Sequence, residues 1–147
     1  MASLCTPAVP AARDVDLPAA RDLAADAALG ARERSPILLF FNRDECPYCE
    51  RALREYLAPM SRDGAWRSRA IYRQVEVDRP HPLTGFDGAA TTHSALASRY
   101  RVSLTPTVLV VDTSGRPLAE PLVGLSPDFY AAYLEAAIET AEKRLRP

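Results

Sequence analysis

Two of the three cysteines in the chain, Cys46 and Cys49, are separated by two residues. They stand between a short apolar run and a segment with helical periodicity, so Cys46 is predicted at a helix N-terminus with Pro47 in the first turn. The free N–H groups and the dipole of a helix N-terminus favour an anion, and the thiolate is the reactive form of a cysteine. Cys49 follows one turn later on the same face, where it can resolve a mixed disulfide formed at Cys46. The pair therefore predicts a redox-active disulfide that needs no further cofactor, with Cys46 as the nucleophile and Cys49 as the more buried resolving thiol.

Half of a zinc site is the alternative interpretation of this spacing. Zinc would need two more cysteine or histidine ligands. The remaining candidates are Cys5, His81 and His93, and none stands at ligand spacing from the pair. The spacing favours redox chemistry, and no metal site is predicted. Both histidines are expected at the protein surface.

Strands and helices alternate around the pair. The run Ile37–Phe41 is apolar on both faces, which is typical of a central strand covered by helices on both sides. The other predicted elements are a helix from Leu17 capped by Asp16, a helix from Pro47 to Met60, a strand over 70–78, a loop over 79–91, a helix over 92–100, strands over 107–111 and 117–123, and a last helix capped by Ser126. This order, α-β-α-β-α-β-β-α, implies an α/β fold with a mixed sheet between helices.

The length of 147 residues suits one domain with a single core. The formal net charge of −1 provides no field that would attract nucleic acid or an acidic membrane, and no apolar run is long enough to span a bilayer. Residues 1–15 are predicted to be a flexible tail, and residues 16–147 a single domain. The tail is similar to the tether that follows a cleaved signal, so we expect a mature periplasmic chain, with a cytoplasmic protein as the alternative.

These features together resemble the thioredoxin family. The resemblance rests on the apolar strand, on Cys46-Pro47-Tyr48-Cys49 at a helix start, and on Thr105-Pro106 before the next apolar strand. It implies a thioredoxin fold with an N-terminal helix extension, and an enzyme that exchanges disulfides with protein disulfide or thiol substrates. It further implies a cis peptide bond before Pro106 and pairing of the Thr105 backbone with substrate chains. Pro47 and Tyr48 are assigned to the same substrate-binding surface.

The strand before the cysteines departs from the thioredoxin pattern. Thioredoxin has a buried acid six residues before its first cysteine, where it helps proton transfer, and Phe40 occupies that position here. Glu76 and Asp78, on the neighbouring predicted strand, are the alternative proton acceptors. The expected state of both is a solvated carboxylate at a strand end.

Cys-Pro-Tyr-Cys is also the motif of glutaredoxins. Those enzymes hold glutathione partly through a Gly-Gly-Asp-like turn after the cis-proline strand, where this chain has residues Asp112–Gly115, so glutathione use is the less favoured alternative. The N-terminal helix and the loop at 79–91 make the chain more similar to bacterial periplasmic thioredoxin-like proteins, including the SoxW-type proteins. That resemblance implies a reductant of protein disulfides that is kept reduced by a membrane or soluble thiol electron donor. A non-catalytic binding module on the same fold is the remaining alternative.

Overall fold

A central sheet of four strands lies at the core of the fold. The computed structural model describes residues 16–147, and the predicted tail at 1–15 lies outside them. The four strands are β1 (Ile37–Asn42), β2 (Ile71–Glu76), β5 (Thr107–Val111) and β6 (Leu122–Val123). They lie in the order β2-β1-β5-β6. β1 and β2 are parallel, whereas β5 is antiparallel to β1 and β6 is antiparallel to β5. The predicted mixed sheet is therefore confirmed.

Helices cover both faces of this sheet. They are α1 (Leu23–Glu33), α2 (Pro47–Ala52), α3 (Ala58–Arg62), α4 (His93–Arg99) and α5 (Tyr130–Leu145). Within residues 16–147, each helix is too short or too polar to cross a lipid bilayer. A separate hairpin, β3 (Pro82–Thr84) with β4 (Ala90–Thr92), occupies much of the stretch predicted as a loop over 79–91 and extends one residue beyond it, so that prediction is wrong there.

Strand β1 divides the core into two apolar clusters because alternate residues of a strand point to opposite faces. Leu38 and Phe40 belong to the cluster that contains Cys49 and the buried side chains of α5. Ile37, Leu39 and Phe41 belong to the cluster that contains the buried side chains of α1 and α4. Burial of all five side chains explains why the run is apolar without alternation.

The N-terminal segment before α1 is extended, so the predicted helix from Leu17 with Asp16 as its cap is wrong. Ala20 donates its N–H to the Gln74 carbonyl and Gln74 donates to the Pro18 carbonyl, which adds a short parallel segment beside β2. These long-range hydrogen bonds outweigh the helical spacing of the alanines. The helix begins instead at Leu23, with Asp22 as a cap that accepts a hydrogen bond from the Ala25 N–H at 2.9 Å.

Two boundaries in the last third of the chain also differ from the prediction. The returning strand is shorter than residues 117–123, because Pro117 and Pro121 cannot donate to a ladder, and only Leu122–Val123 pairs continuously. Ser126 does not cap α5. Residues 127–129 form a turn that ends at Phe129, whose φ of −131° and ψ of 2° lie outside the helical region, so the helix begins at Tyr130.

Candidate active site

The chain positions Cys46 by ending β1 at Asn42 and starting α2 at Pro47. Between these elements Glu45 has a φ of 54°, which turns the backbone sharply before the cysteine. Cys46 is the N-cap of α2, and its sulfur accepts a hydrogen bond from the Cys49 N–H at 3.2 Å. The sulfur therefore lies at the positive end of the helix, as predicted.

Cys46 and Cys49 form a disulfide, with their Cα atoms 5.2 Å apart. Cys46 is partly exposed, whereas only 2% of Cys49 is accessible. An attacking or leaving thiol from outside can reach the Cys46 sulfur more readily than the Cys49 sulfur. Because the disulfide engages both sulfur atoms, the structure favours the redox interpretation of the pair over half of a zinc site.

The loop before β5 supplies the second part of the site. The Thr105–Pro106 peptide bond is cis. The Thr105 carbonyl oxygen lies 3.9 Å from the Cys46 sulfur, and the Thr105 hydroxyl oxygen lies 3.6 Å from it. The fold thus brings together residues that are 59 positions apart in sequence. A cysteine thiolate at this position would have both the helix N-terminus and a hydroxyl donor beside it.

The remaining predicted substrate-binding residues lie at the surface next to the disulfide. Pro47 is exposed, and 64% of Tyr48 is accessible. Both follow Cys46 in the first turn of α2. Their exposure makes them available to a protein that approaches the disulfide.

The helix that carries the cysteines is not regular along its length. After α2, residues Leu53–Leu57 form a π-helical turn, and the helix then continues as α3 through Pro59. Proline has no N–H to donate, and a π turn is one way to accommodate that loss inside a helix. The helix therefore continues past Pro59 to Arg62, two residues beyond the predicted end at Met60.

An apolar environment surrounds the inner cysteine. Phe40 is fully buried and shares the apolar cluster of Cys49. Within residues 16–147 the only buried carboxyl group is that of Asp26, and both of its oxygens accept hydrogen bonds from Arg73. No free buried carboxylate is therefore available to Cys49 in the described part of the chain.

Glu76 and Asp78 are the alternative proton acceptors suggested by the sequence. The Glu76 carboxylate lies 2.9 Å from Nε2 of His81. Asp78 is exposed to solvent. Neither makes a hydrogen bond to a cysteine. Asp78 is solvated, as expected, whereas Glu76 is half-buried and paired with His81.

The charged residues around the disulfide pair with one another. Asp44 forms an ion pair with Arg79, and Arg51 forms one with Glu55. The hydrogen bond to Glu55 raises the pKa of Arg51 above its usual value. Asp44, Arg79, Arg51 and Glu55 are thus engaged in two separate surface ion pairs. The Cys46 sulfur itself accepts the Cys49 N–H and lies beside the carbonyl and hydroxyl oxygens of Thr105.

His93 is the residue that the sequence prediction misplaced. It is 3% accessible, not exposed. Its Nδ1 accepts the Glu76 N–H at 3.0 Å, and its Nε2 lies 2.8 Å from the Ala20 carbonyl, to which it must donate. His93 thus connects α4 to β2 and to the extended N-terminal segment. His81 is exposed, as predicted.

A mixed sheet between helices, with a disulfide at a helix N-terminus facing a cis-proline loop, defines a thiol–disulfide oxidoreductase of the thioredoxin fold. A family model described as a thioredoxin-like domain matches residues 22–138. The chain belongs to that thioredoxin-like domain family. No curated protein matches the chain significantly.

Solved structures of thioredoxin-like proteins are similar to this one. A thioredoxin-like protein, Trxlp, from Edwardsiella tarda is 26% identical with a TM-score of 0.52, and the match covers 74% of this chain and 92% of that one. The C-terminal domain of DsbD from Neisseria meningitidis is 24% identical with a TM-score of 0.51, covering 81% of this chain and 98% of that one. The periplasmic thioredoxin SoxS from Paracoccus pantotrophus is 20% identical with a TM-score of 0.51, covering 73% and 99%. The last two likenesses support the fold alone.

Proposed function

We propose that this protein reduces disulfides in other proteins, with Cys46 as the nucleophile and Cys49 as the resolving thiol. The observation that carries the proposal is the asymmetry of the pair: Cys46 is partly exposed at a helix N-terminus, and Cys49 is buried beneath it. The partly exposed sulfur can meet a substrate disulfide, and the helix N-terminus favours its thiolate. The buried Cys49 sulfur is shielded from external disulfides and reacts only after a mixed disulfide has formed at the adjacent Cys46.

The exchange occurs in two balanced steps. The Cys46 thiolate attacks one sulfur of the substrate disulfide; a new S–S bond forms, the substrate S–S bond breaks, and one substrate thiolate is released. Cys49 then loses its proton, which this thiolate can accept, and attacks the Cys46 sulfur. This step re-forms the Cys46–Cys49 disulfide and releases the second substrate thiolate, which takes up a proton from water. The protein loses two electrons and the Cys49 proton, and the substrate gains two electrons and two protons, one of them from solvent.

The cis-proline loop is the proposed docking element for the substrate. Thr105 places its carbonyl oxygen and its hydroxyl beside the Cys46 sulfur. A substrate chain that pairs with the Thr105 backbone would therefore present its disulfide to Cys46. Pro47 and Tyr48, which are both exposed, complete this surface, whereas Pro106, the fourth residue predicted to bind substrate, is buried.

We place the protein in the periplasm, where a membrane or soluble thiol donor would return it to the reduced state. The support for this location is the structural likeness to a protein named as a periplasmic thioredoxin. The reduced Cys46 and Cys49 thiols carry the two electrons, so no additional cofactor is proposed.

The turn at Asp112–Gly115 argues against glutathione as the partner. The Asp112 carboxylate accepts hydrogen bonds from the Ser114 N–H and hydroxyl and from the Arg116 N–H, at 2.7 to 2.9 Å. Although burial acts in the opposite direction, these hydrogen bonds lower the pKa of Asp112 on balance. All three hydrogen bonds go to one carboxylate oxygen, Oδ1, which is thereby used within the turn itself.

Two serine variants test the mechanism. Cys46→Ser should abolish reduction of insulin, because the first step is lost. Cys49→Ser should still attack and should accumulate a mixed disulfide that is visible as a higher-mass species under non-reducing conditions. Full activity of Cys46→Ser, or accumulation of the mixed disulfide in that variant instead, would contradict the assignment.

The direction of electron flow needs a separate measurement. Equilibration of the wild-type protein with defined dithiol–disulfide buffers gives its reduction potential. A value near or below about −220 mV is expected for a reductant, whereas a value near about −120 mV would mean that the protein donates disulfides instead.

A further inference from the structure

An apolar groove lies between the last strand of the sheet and the last helix. Its volume is about 790 Å³. Leu122 and Val123 of β6 form one wall, and Tyr133, Ala136 and Ala137 of α5 contribute to the other. Val123 is 58% accessible and Tyr133 is 51% accessible. Two large apolar side chains are therefore exposed on opposite walls of one groove.

The β6 wall is also an open sheet edge. Gly124 donates its N–H to the Pro106 carbonyl at 2.8 Å, which makes Gly124 and Pro106 a hydrogen-bonded position of the antiparallel pair. In such a pair the next residue directs its N–H and C=O to the opposite side. Val123, which pairs with Thr107 in the register, therefore points its N–H and C=O away from β5. Within residues 16–147 no strand follows β6 in the sheet, so these groups lie at the sheet edge without a strand partner, and Val123 is also a lining residue of the groove.

The groove is continuous with the surface that must meet a substrate disulfide. Gly124 lines the groove and is bonded to Pro106. The preceding residue, Thr105, lies against the Cys46 sulfur. If a substrate segment lies in the groove and the substrate disulfide lies at Cys46, only the cis-proline loop therefore lies between the two.

The other edge of the sheet is occupied by the molecule itself. The segment around Ala19 lies alongside β2 and bonds to Gln74 there. The open β6 edge therefore offers the complementary position for a strand from another chain.

We infer that this groove docks an extended, apolar segment of the substrate protein that flanks its disulfide. Unpaired backbone groups at Val123 select a strand, because only an extended backbone offers an N–H and a C=O at matching spacing. The exposed valine and tyrosine select apolar side chains on that strand. Glu120 and Arg144 are the charged lining residues and have opposite signs, so the groove does not select a segment with a net charge. This inference rests on the proposed function and specifies its substrate: a chain that is unfolded or extended next to its disulfide.

Two independent substitutions test the groove. Val123→Pro removes the outward N–H without removing a bond to β5, and Val123→Thr is its control because it retains the N–H and the branched shape. Ala136→Trp fills the groove from the helix side. Ala131→Trp is the matched control, since Ala131 is an exposed alanine of the same helix that lines a different hollow, beside Tyr56 and Trp66.

Each variant is assayed on insulin, a protein disulfide, and on a small aromatic disulfide that is too short to reach the groove. Val123→Pro and Ala136→Trp should raise KM for insulin about three- to tenfold, as expected for loss of a hydrogen bond or of apolar contact. Their rates with the small disulfide should equal that of the wild type, and both controls should behave as wild type on both substrates. Thermal unfolding identifies any variant that has lost its fold, in which case the other one decides.

The possible outcomes separate the inference from the proposed function. Unchanged KM for insulin in both variants would overturn the docking groove while leaving the exchange reaction intact. Equal losses on insulin and on the small disulfide would also overturn it, because the substitutions would then be acting on the redox site. A wild-type protein that reduces neither substrate would instead refute the proposed function.

Discussion

The hydroxyl of Thr105 should tune the acidity of Cys46. Its oxygen lies 3.6 Å from the Cys46 sulfur, close enough for a weak hydrogen bond to a thiolate. Hydrogen bonds to charged groups contribute about 1.5–3 kcal/mol at good geometry. This contact is long and partly exposed, so we take about 1 kcal/mol, below that range. Thr105→Val, which keeps the branched shape and removes the donor, should then raise the pKa of Cys46, because the thiolate loses a hydrogen bond that the thiol does not need.

The same loss should shift the redox equilibrium. Removing a donor from the thiolate destabilises the reduced form, so the reduction potential should fall by about 20 mV at a pH above the thiol pKa. The pH dependence of alkylation of Cys46 measures the first effect, and equilibration with dithiol buffers measures the second. Thr105→Ser, which retains a hydroxyl, is the control and should stay near the wild type. If the valine variant has the wild-type pKa and potential, the hydroxyl does not contact the thiolate, and the helix N-terminus alone accounts for its stabilisation.

Three further predictions concern the scaffold. Asp22→Ala should lower the free energy of unfolding by about 1 kcal/mol in urea because a helix cap is lost, whereas Asp16→Ala should not; the opposite result would restore the cap that the sequence predicted. Asp26→Ala should lower the free energy of unfolding by about 3 kcal/mol because it leaves the Arg73 guanidinium without its partner. Adding a second substitution, Arg73→Leu, should restore part of that stability. A loss near zero in the single variant would show that the pair is solvated. Burial raises the pKa of Tyr100 from 10.0 to about 12, so the unfolded chain releases this proton first and stability should fall as pH rises from about 10 to about 12. Tyr100→Phe should flatten that decline in alkaline unfolding curves, and an unchanged slope would argue against burial of the phenol.

The parts of the site that depend on neighbouring residues were predictable from sequence. Cys46 at the start of α2 follows from an apolar strand, a polar turn and a proline in the first helical turn, all within a dozen residues of one another. The same holds for Ile37–Phe41, since a run that is apolar on both faces has no stable position except between two helical layers. In these segments local preference and tertiary environment favour the same structure.

The parts that were missed depend on contacts between distant residues. The spacing of Ala20 fits a helix, yet its N–H is bound to Gln74, and no local pattern shows that an edge of β2 is available there. His93 has the polarity of a surface residue, but the Glu76 N–H and the Ala20 carbonyl give both of its ring nitrogens a partner in the interior. Once such partners exist, burial of a polar side chain costs little. Their existence is a property of the assembled sheet and not of the segment.

The environment of Cys49 has a consequence for the order of events in the exchange. Apolar surroundings disfavour a thiolate, so burial beside Phe40 should raise the pKa of Cys49 while the helix N-terminus lowers that of Cys46. The two cysteines therefore differ in environment: Cys46 is partly exposed at a helix N-terminus, and Cys49 is buried among apolar side chains. The buried carboxyl in the described part of the chain is held by Arg73, so it is not the group that accepts the Cys49 proton. The most basic group that reaches the site during turnover is then the thiolate released from the substrate in the first step. In this scheme the substrate supplies the base for its own release, and Cys49 remains protonated until a mixed disulfide has formed.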